Sequence, residues 1–267
     1  MSYWNGKTVI VTGASDGLGY HIAEAYAKAG ADVVLAARTP AKLHEAAAKL
    51  QNSQGAVVGI PCDVTRDEDV EHLVAHTVER FGRIDALVNN AGLSMRKAVL
   101  ETTVDEFRDM LELNLLATVR CTRAAASQLI AARGHLVNIG SLSGKAASRY
   151  LGAYPASKFA VTAYTQQLRL ELSDTGLHVL LVCPGPIARG DGRVRSPEEL
   201  AKLPESARKP GGGVKVSRIR PEALAERILA ACERRKGELI VPSKARILFT
   251  LMQTSPRLAD WLIRKFT

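Results

Sequence analysis

The sequence predicts an α/β fold, in which one parallel, doubly wound sheet of about seven strands carries helices on both faces. Three observations predict it. Short, continuously apolar runs alternate with amphipathic stretches along the chain. Those runs lack the every-second-residue alternation of a half-exposed strand, as expected when both faces of a sheet are covered. A glycine-rich turn follows the first run directly and leads into a helical pattern. Strand–helix alternation of this kind closes into a parallel sheet through right-handed crossovers.

The elements follow in order. Residues 9–11, Val-Ile-Val, form the first strand and 20–29 the first helix. Residues 32–36 precede a helix over 41–50, 56–60 precede one over 67–81, and 85–88 precede one running through 111–129. The fifth strand, 135–139, leads to a helix over 156–172. Strands at 178–182 and 238–241 complete the sheet, with a helix over 221–232 between them. Residues 186–220 break the rhythm with prolines, charges and the run Gly211, Gly212, Gly213. A long connection at a strand end reads as a substrate lid. Beyond residue 245 comes an amphipathic extension. Ser255-Pro256 looks like a helix start. Leu258, Trp261, Leu262 and Phe266 then make an apolar stripe flanked by Arg257, Arg264 and Lys265. Three readings of that stripe stand: it docks on the core or a partner subunit, it caps the substrate pocket, or it rests on an anionic membrane surface. No internal repeat and no second core is visible, so residues 1–267 read as one domain.

Composition bounds the function. With 46% hydrophobic residues, the 267-residue chain can bury a large core without staples. Cys62, Cys121, Cys183 and Cys232 are far apart and form no CxxC pair. That argues against a disulfide framework or a metal site and fits a reducing compartment. The opening MSYWNGK is short and polar, so no secretory leader is expected. No apolar run approaches the ~20 residues of a membrane-spanning helix. The expected location is cytoplasmic, with contact at a membrane surface left open. The net charge of +9 favours anionic partners such as phosphate, an acyl carrier or an acidic membrane. No DNA- or RNA-binding module accompanies it, so nucleic acid is not expected.

The turn Thr12-Gly13-Ala14-Ser15-Asp16-Gly17-Leu18-Gly19 lies between the first strand and the first helix. Gly13 lets the chain turn sharply, Gly17 leaves room for a pyrophosphate, and Gly19 lets the helix pack on the strand. The helix N-terminus offers free N–H groups and partial positive charge to phosphates.

The spacing reads TGxxxGxG, and with it the chain resembles the short-chain dehydrogenase/reductase family. The motifs that carry the resemblance are TGASDGLG (12–19), DVT (63–65), NNAG (89–92), Asn114 in LNLLAT, NIGSLSG (138–144), YPASK (154–158) and CPGPI (183–187). They occur in the family's order over roughly the first 190 residues. The resemblance implies a Rossmann-type fold, a nicotinamide cofactor and a homodimer or homotetramer. It implies that Ser15, Asp16, Leu18 and the three glycines hold the cofactor. Asp63 and Val64 meet the adenine in such enzymes, although Asp63 could equally cap a helix. Asn90, Ala91 and Gly92 line the ribose side, and Pro184, Gly185 and Ile187 approach the nicotinamide.

The second strand ends Ala36-Ala37-Arg38. An acidic residue there reads a 2′-hydroxyl and a cation reads a 2′-phosphate. Ala37 stands where the resemblance would place the acid, and Arg38 offers a planar fork suited to phosphate. NADP(H) is therefore the expected cofactor, with NAD(H) possible because the Asp16 carboxylate would repel a nearby phosphate.

Tyr154 and Lys158 are four residues apart, one helical turn if the helix begins near Pro155. A phenol near an ammonium becomes a stronger acid and can exchange a proton with a carbonyl oxygen or an alcohol. By resemblance Lys158 also holds the nicotinamide ribose. Ser141, 13 residues before Tyr154, is placed to hydrogen-bond the carbonyl, with Ser143 as a competitor. Asn114 sits in a helix-like run, and the resemblance gives it a water that relays protons to the lysine. The family often has PGxIxT after the sixth strand; Arg189 stands here at the threonine position. The sequence thus points to an NADP(H)-dependent oxidoreductase that interconverts a carbonyl and a secondary alcohol, on a lipophilic or acyl substrate. A 3-oxoacyl-carrier-protein-type reductase is the near alternative. A cofactor-binding protein without turnover and a peripheral membrane protein are the distant ones.

Overall fold

The computed structural model describes residues 2–188 and 218–266. Its sheet has seven parallel strands in the order β3-β2-β1-β4-β5-β6-β7. They are β1 Thr8–Thr12, β2 Asp32–Ala37, β3 Val57–Pro61, β4 Ala86–Asn89, β5 His135–Ile139, β6 His178–Pro184 and β7 Glu238–Val241. The strand order reverses between β1 and β4, opening a crevice at the carboxyl ends where ligands bind in such sheets. The central strands β1, β4, β5 and β6 are buried along their whole length, the physical reason their sequences are continuously apolar.

Helices α1 (Gly17–Lys28), α2 (Pro40–Lys49) and α7 (Pro221–Glu233) cover one face. Ile22, Tyr26, Leu43, Leu224 and Ile228 enter a single cluster with Val9, Val11, Val33 and Leu35. Helices α3 (Asp67–Phe81) and α5 (Ala117–Ala131) cover the other, where Val70, Leu73, Cys121 and Leu129 meet Ile10, Leu87 and Leu136. Helix α6 (Tyr154–Glu171) seats Val161 on Leu181 and Cys183. The expected first helix begins three residues earlier than its apolar pattern suggested. Asp16 caps it, its carboxylate accepting from the Gly17 N–H at 2.7 Å. The stretch read as one helix through 111–129 is three pieces: α4 (Val104–Leu111), a π-turn at Glu112–Leu116, and α5.

Of the segment read as a lid, only its base is described. Ile187 and Ile219 form a parallel bridge, the Ala188 N–H donates to the Ile219 carbonyl at 2.8 Å, and the Ile219 N–H donates to Pro186 at 2.8 Å. Residues 189–217, with Arg189 and the glycine run at 211–213, lie outside the described residues. The tail forms α8 (Ala245–Thr254) and α9 (Pro256–Phe266). Among the described residues, no helix is long and apolar enough to cross a membrane.

The amino-terminal ends of the strands carry a buried polar chain absent from the sequence reading. The Tyr3 hydroxyl lies 2.8 Å from His135 Nε2, His135 Nδ1 lies 2.9 Å from His178 Nδ1, and His178 Nε2 lies 2.8 Å from the Lys236 carbonyl. A carbonyl only accepts, so His178 Nε2 carries hydrogen, its Nδ1 accepts from His135, and His135 Nε2 accepts from Tyr3. Both imidazoles are neutral and each has one fixed tautomer. Burial, aided by His178, Arg235 and Lys7, pushes His135 down to about 3. Burial likewise lowers His178, with the Lys236 carbonyl pulling the other way. Unfolded imidazoles titrate near 6.5, so below that value the unfolded chain binds more protons. The stability is complete above pH 6.5 and declines as the pH falls towards about 3. Denaturant titrations are expected to show about 2 kcal/mol lost at pH 5 from His135, with His178 adding to the loss in the same direction. A smaller loss in His135→Gln than in the wild type would confirm the source; an unchanged pH slope would refute it.

Candidate active site

The sequence-predicted residues meet at the carboxyl ends of β1 to β6. Gly13 has φ +64° and Gly17 φ +56°, a region that favours glycine. A methyl at Gly17 would meet nothing within 4 Å, so space is open beside the start of α1. Gly19 has a different task from the expected one. A methyl there would collide with the Gly13 carbonyl and lie 2.5 Å from Asn90 Nδ2. Its smallness lets the turn and Asn90 close on the helix, rather than the helix on the strand. Asn90 Nδ2 donates to the carbonyls of Thr12 at 3.0 Å and Gly13 at 3.3 Å. Thr12 Oγ1 accepts from the N–H groups of Asn90 and Ala91 at 3.0 and 3.1 Å. Its proton goes to the Val88 carbonyl at 3.3 Å. The phosphate-sized turn is therefore knotted to the β4 loop. Ser15 and Leu18 are half-buried on the turn, Leu18 packed on the core. Val64 and Ala91 line one small cavity with Thr12.

Arg38 is exposed immediately after β2, beside Asp63. The Asp63 carboxylate accepts from the N–H and hydroxyl of Thr65 at 3.0 and 2.7 Å. This is a local turn, whereas α3 begins after Arg66 with no side-chain cap; the capping alternative for Asp63 does not hold. Burial pushes the Asp63 carboxyl up. The Thr65 bonds, then the charges of Arg38 and Arg66, outweigh it and leave the group below its ordinary range.

The reacting centre builds on the π-turn. Asn114 is buried there. Its amide donates to the Leu93 carbonyl at 3.0 Å and Ser157 Oγ at 2.9 Å, and its oxygen accepts from the Leu93 N–H at 2.9 Å. The extra residue of a π-turn turns this side chain towards α6. Gly92 lies against it, since a methyl there would sit 2.7 Å from Asn114 Oδ1 and 3.6 Å from Lys158 Nζ. The Lys158 ammonium is buried and donates to the Ile139 carbonyl at 2.8 Å. Burial pushes it down to about 8, with the Cys183 thiol opposing. Tyr154 is the first residue of α6 and is half-buried, one turn before Lys158 on the same helix. Ser141 is buried at the end of β5, and its oxygen accepts from the Ser143 N–H at 3.1 Å. That bond makes Ser143 a donor through its backbone and fixes the Ser141 hydroxyl. Gly185 bonds to β7, its N–H donating to Val241 at 2.8 Å, and Pro184 ends β6. Ile187 sits at the bridge beyond them.

Three residues inside the quoted motifs, Ser157, Asn89 and Asn138, have supporting roles that the sequence reading did not assign. Ser157 links Asn114 to the Tyr154 carbonyl, to which its hydroxyl donates at 2.8 Å. Asn89 and Asn138 stand in register on β4 and β5 and bond at 2.9 Å. Asn89 Nδ2 donates to Asn138 Oδ1 and also to Thr122 Oγ1 at 3.1 Å, and Asn138 Nδ2 donates to Thr165 Oγ1 at 3.0 Å. The signal was present: an asparagine at the end of one apolar strand and next to the end of another.

A glycine-rich turn at the switch point of a parallel sheet, with a buried lysine, serine and asparagine and a half-buried tyrosine nearby, is the arrangement that the comparisons with known proteins meet. The chain matches the family model for short chain dehydrogenases over residues 7–199 and belongs to that family. A ketoacyl reductase, HetN, from Nostoc sp. is 31% identical and the alignment covers 100% of this chain and 91% of that one. L-sorbose reductase from Gluconobacter frateurii, solved with NADPH and L-sorbose, is 28% identical with a TM-score of 0.76, covering 89% of this chain and 95% of that one. A short chain dehydrogenase/reductase from Burkholderia phymatum, solved with NAD, has a TM-score of 0.84 over 97% of this chain and 96% of that one. At 23% identity it speaks for the fold alone. The expected class, fold and nicotinamide-dependent oxidoreductase activity are therefore borne out.

Gly19→Ala is expected to cost ~2–3 kcal/mol, a fall in melting temperature of about 5–10 °C, and to weaken nucleotide binding. Calorimetry and a nucleotide fluorescence titration check both; a neutral substitution would show that the turn is not clamped by Asn90.

Proposed function

We propose that the protein interconverts a carbonyl and a secondary alcohol with NADP(H), on a lipophilic or acyl substrate. The observation that carries this is the convergence of Lys158 and Asn114 beneath Gly92, one helical turn from Tyr154. The bound nicotinamide supplies or accepts the hydride. The residues of this chain do the rest. A hydroxyl accepts and donates at once, so Ser141, already accepting from Ser143, turns its proton to the substrate oxygen and holds it beside Tyr154. Tyr154 gives that oxygen a proton in reduction and takes one in oxidation. The Lys158 ammonium stabilises the phenolate, and with a titration point near 8 it is still largely protonated at neutral pH. Asn114 fixes the local geometry and, through a bound water, reloads the lysine.

The cradle fits the cofactor's phosphates: open space at Gly17, amides at the head of α1, and no acidic residue first after β2. Arg38 is the group that would read a 2′-phosphate. Asp16 spends a carboxylate oxygen on the α1 cap, which lessens the repulsion anticipated from it. The NADPH bound by the Gluconobacter relative supports the same preference. The HetN relative keeps an oxoacyl thioester among the substrates to be tried. Leu116, Phe159 and Leu170 are exposed along the π-turn and α6, which supports a homodimer or homotetramer formed through α4, α5 and α6.

Tyr154→Phe is expected to abolish NADPH consumption across a panel of ketones, aldehydes, quinones and β-oxoacyl thioesters, while nucleotide still quenches protein fluorescence. Turnover that survives the substitution would overturn the assignment. Arg38→Asp is expected to weaken NADPH binding at least tenfold, by about 1.4 kcal/mol or more, and leave NADH nearly unchanged. Equal losses for both nucleotides would show that Arg38 does not read the phosphate.

A further inference from the structure

Among the described residues, the carboxyl-terminal hairpin has one side docked on the core and another that exposes apolar side chains. On α8, Ala245 and Phe249 pack against Val161, Leu181, Cys183 and Ile240. Two residues round the helix, Ile247 and Leu251 are 69% and 40% exposed. On α9, Leu258 and Trp261, one turn apart, are 41% and 54% exposed. Lys244, Arg246, Arg257 and Arg264 are exposed among them. From 242 to 267 the sequence carries five cations, at 244, 246, 257, 264 and 265, against the single carboxylate of Asp260. Helix α9 also forms one wall of a cleft of about 520 Å³, facing Ala147, Ser148 and Arg149 on the loop between Ser141 and Tyr154.

An exposed apolar face has to be covered by something, and charge selects what. A helix with leucine and tryptophan interleaved with arginine and little acid matches the layered chemistry of an anionic bilayer surface. There the apolar side chains enter the acyl boundary and the guanidiniums meet the headgroups. A second copy of the same face would bring like charges together. An acidic carrier protein would satisfy the cations but leave the aliphatic side chains without a match.

We propose that α8 and α9 bind the surface of an anionic membrane and so bring the cleft between α9 and residues 147–149 to the lipid. The proposal deepens the reading above, on which it rests, by naming the substrate class: a carbonyl or secondary alcohol carried on a membrane-borne lipophile.

The protein holds two tryptophans. Trp4 is fully buried, so a change in tryptophan emission on adding vesicles reads Trp261. The full chain is titrated with phosphatidylglycerol vesicles and, separately, with phosphatidylcholine vesicles, following emission and co-sedimentation. Binding with a blue shift to the anionic vesicles alone, weakened by salt, is the expected result. Arg246→Gln with Arg257→Gln should weaken it about thirtyfold, at the usual worth of two basic residues at such a surface. Equal binding to both lipids, or none to the anionic one, overturns the proposal. So does a blue shift that grows with protein concentration in the absence of vesicles, since a second copy would then cover the face. So does capture of an acidic acyl carrier protein without vesicle binding. NADPH turnover of a small soluble ketone is measured alongside. If turnover persists while vesicle binding fails, the membrane inference falls and the oxidoreductase reading stands; if turnover fails as well, both fall.

Discussion

An ammonium taken out of water needs oxygens around it, and Lys158 has the Ile139 carbonyl at 2.8 Å. That single bond places heavy demands on its surroundings. The carbonyl is available because β5 ends there and its pairing with β6 stops. The helix bearing Lys158 must begin high enough to put Tyr154 at its head. Gly92 must be bare, since a side chain would press on Asn114 and approach the ammonium. The π-turn must carry its extra residue to aim Asn114 inward. Each demand costs local stability, through a helix defect, a glycine or a desolvated charge. The sheet's two large apolar clusters offset those costs.

The cofactor end obeys another constraint, that of close approach. A backbone can lie against a pyrophosphate only if no side chains intervene, and the left-handed glycines at 13 and 17 meet that need. A glycine-rich turn is soft, however. Thr12 and Asn90 stiffen it by spending their hydrogen bonds on its backbone. Asn90 thereby serves the cradle by shaping it, whatever it contributes to a ribose. The two ends of the site are joined through the loop after β4, which runs from the Thr12 knot at Asn90 to Gly92 beside Asn114 in three residues.

Much of this was legible in the sequence. Continuous apolar runs gave away the buried parallel strands, because covering both faces leaves no reason for polar alternation. The Tyr154–Lys158 spacing showed because one helical turn is a local quantity. What stayed hidden was long-range or cumulative. The π-turn costs one residue in register and leaves no composition signal, so the stretch through 111–129 read as one continuous helix. The Asp16 cap moved the start of α1 upstream of its apolar pattern, since capping groups belong to the turn. Trp4 and the histidine chain were invisible because their partners stand 22 to 132 residues away. The opening peptide, polar by composition, buries an indole against Tyr26, with ring centres 4.6 Å apart.

The bridge between Ile187 and Ile219 has a bearing on how such enzymes diversify. It pinches the chain shut before anything inserted between those residues can pull on the sheet. For a segment tethered this way, doubling its length adds only about 0.6 kcal/mol of closure entropy. Selection can therefore change the length of the insert between those two residues without renegotiating the strand ends on either side of it.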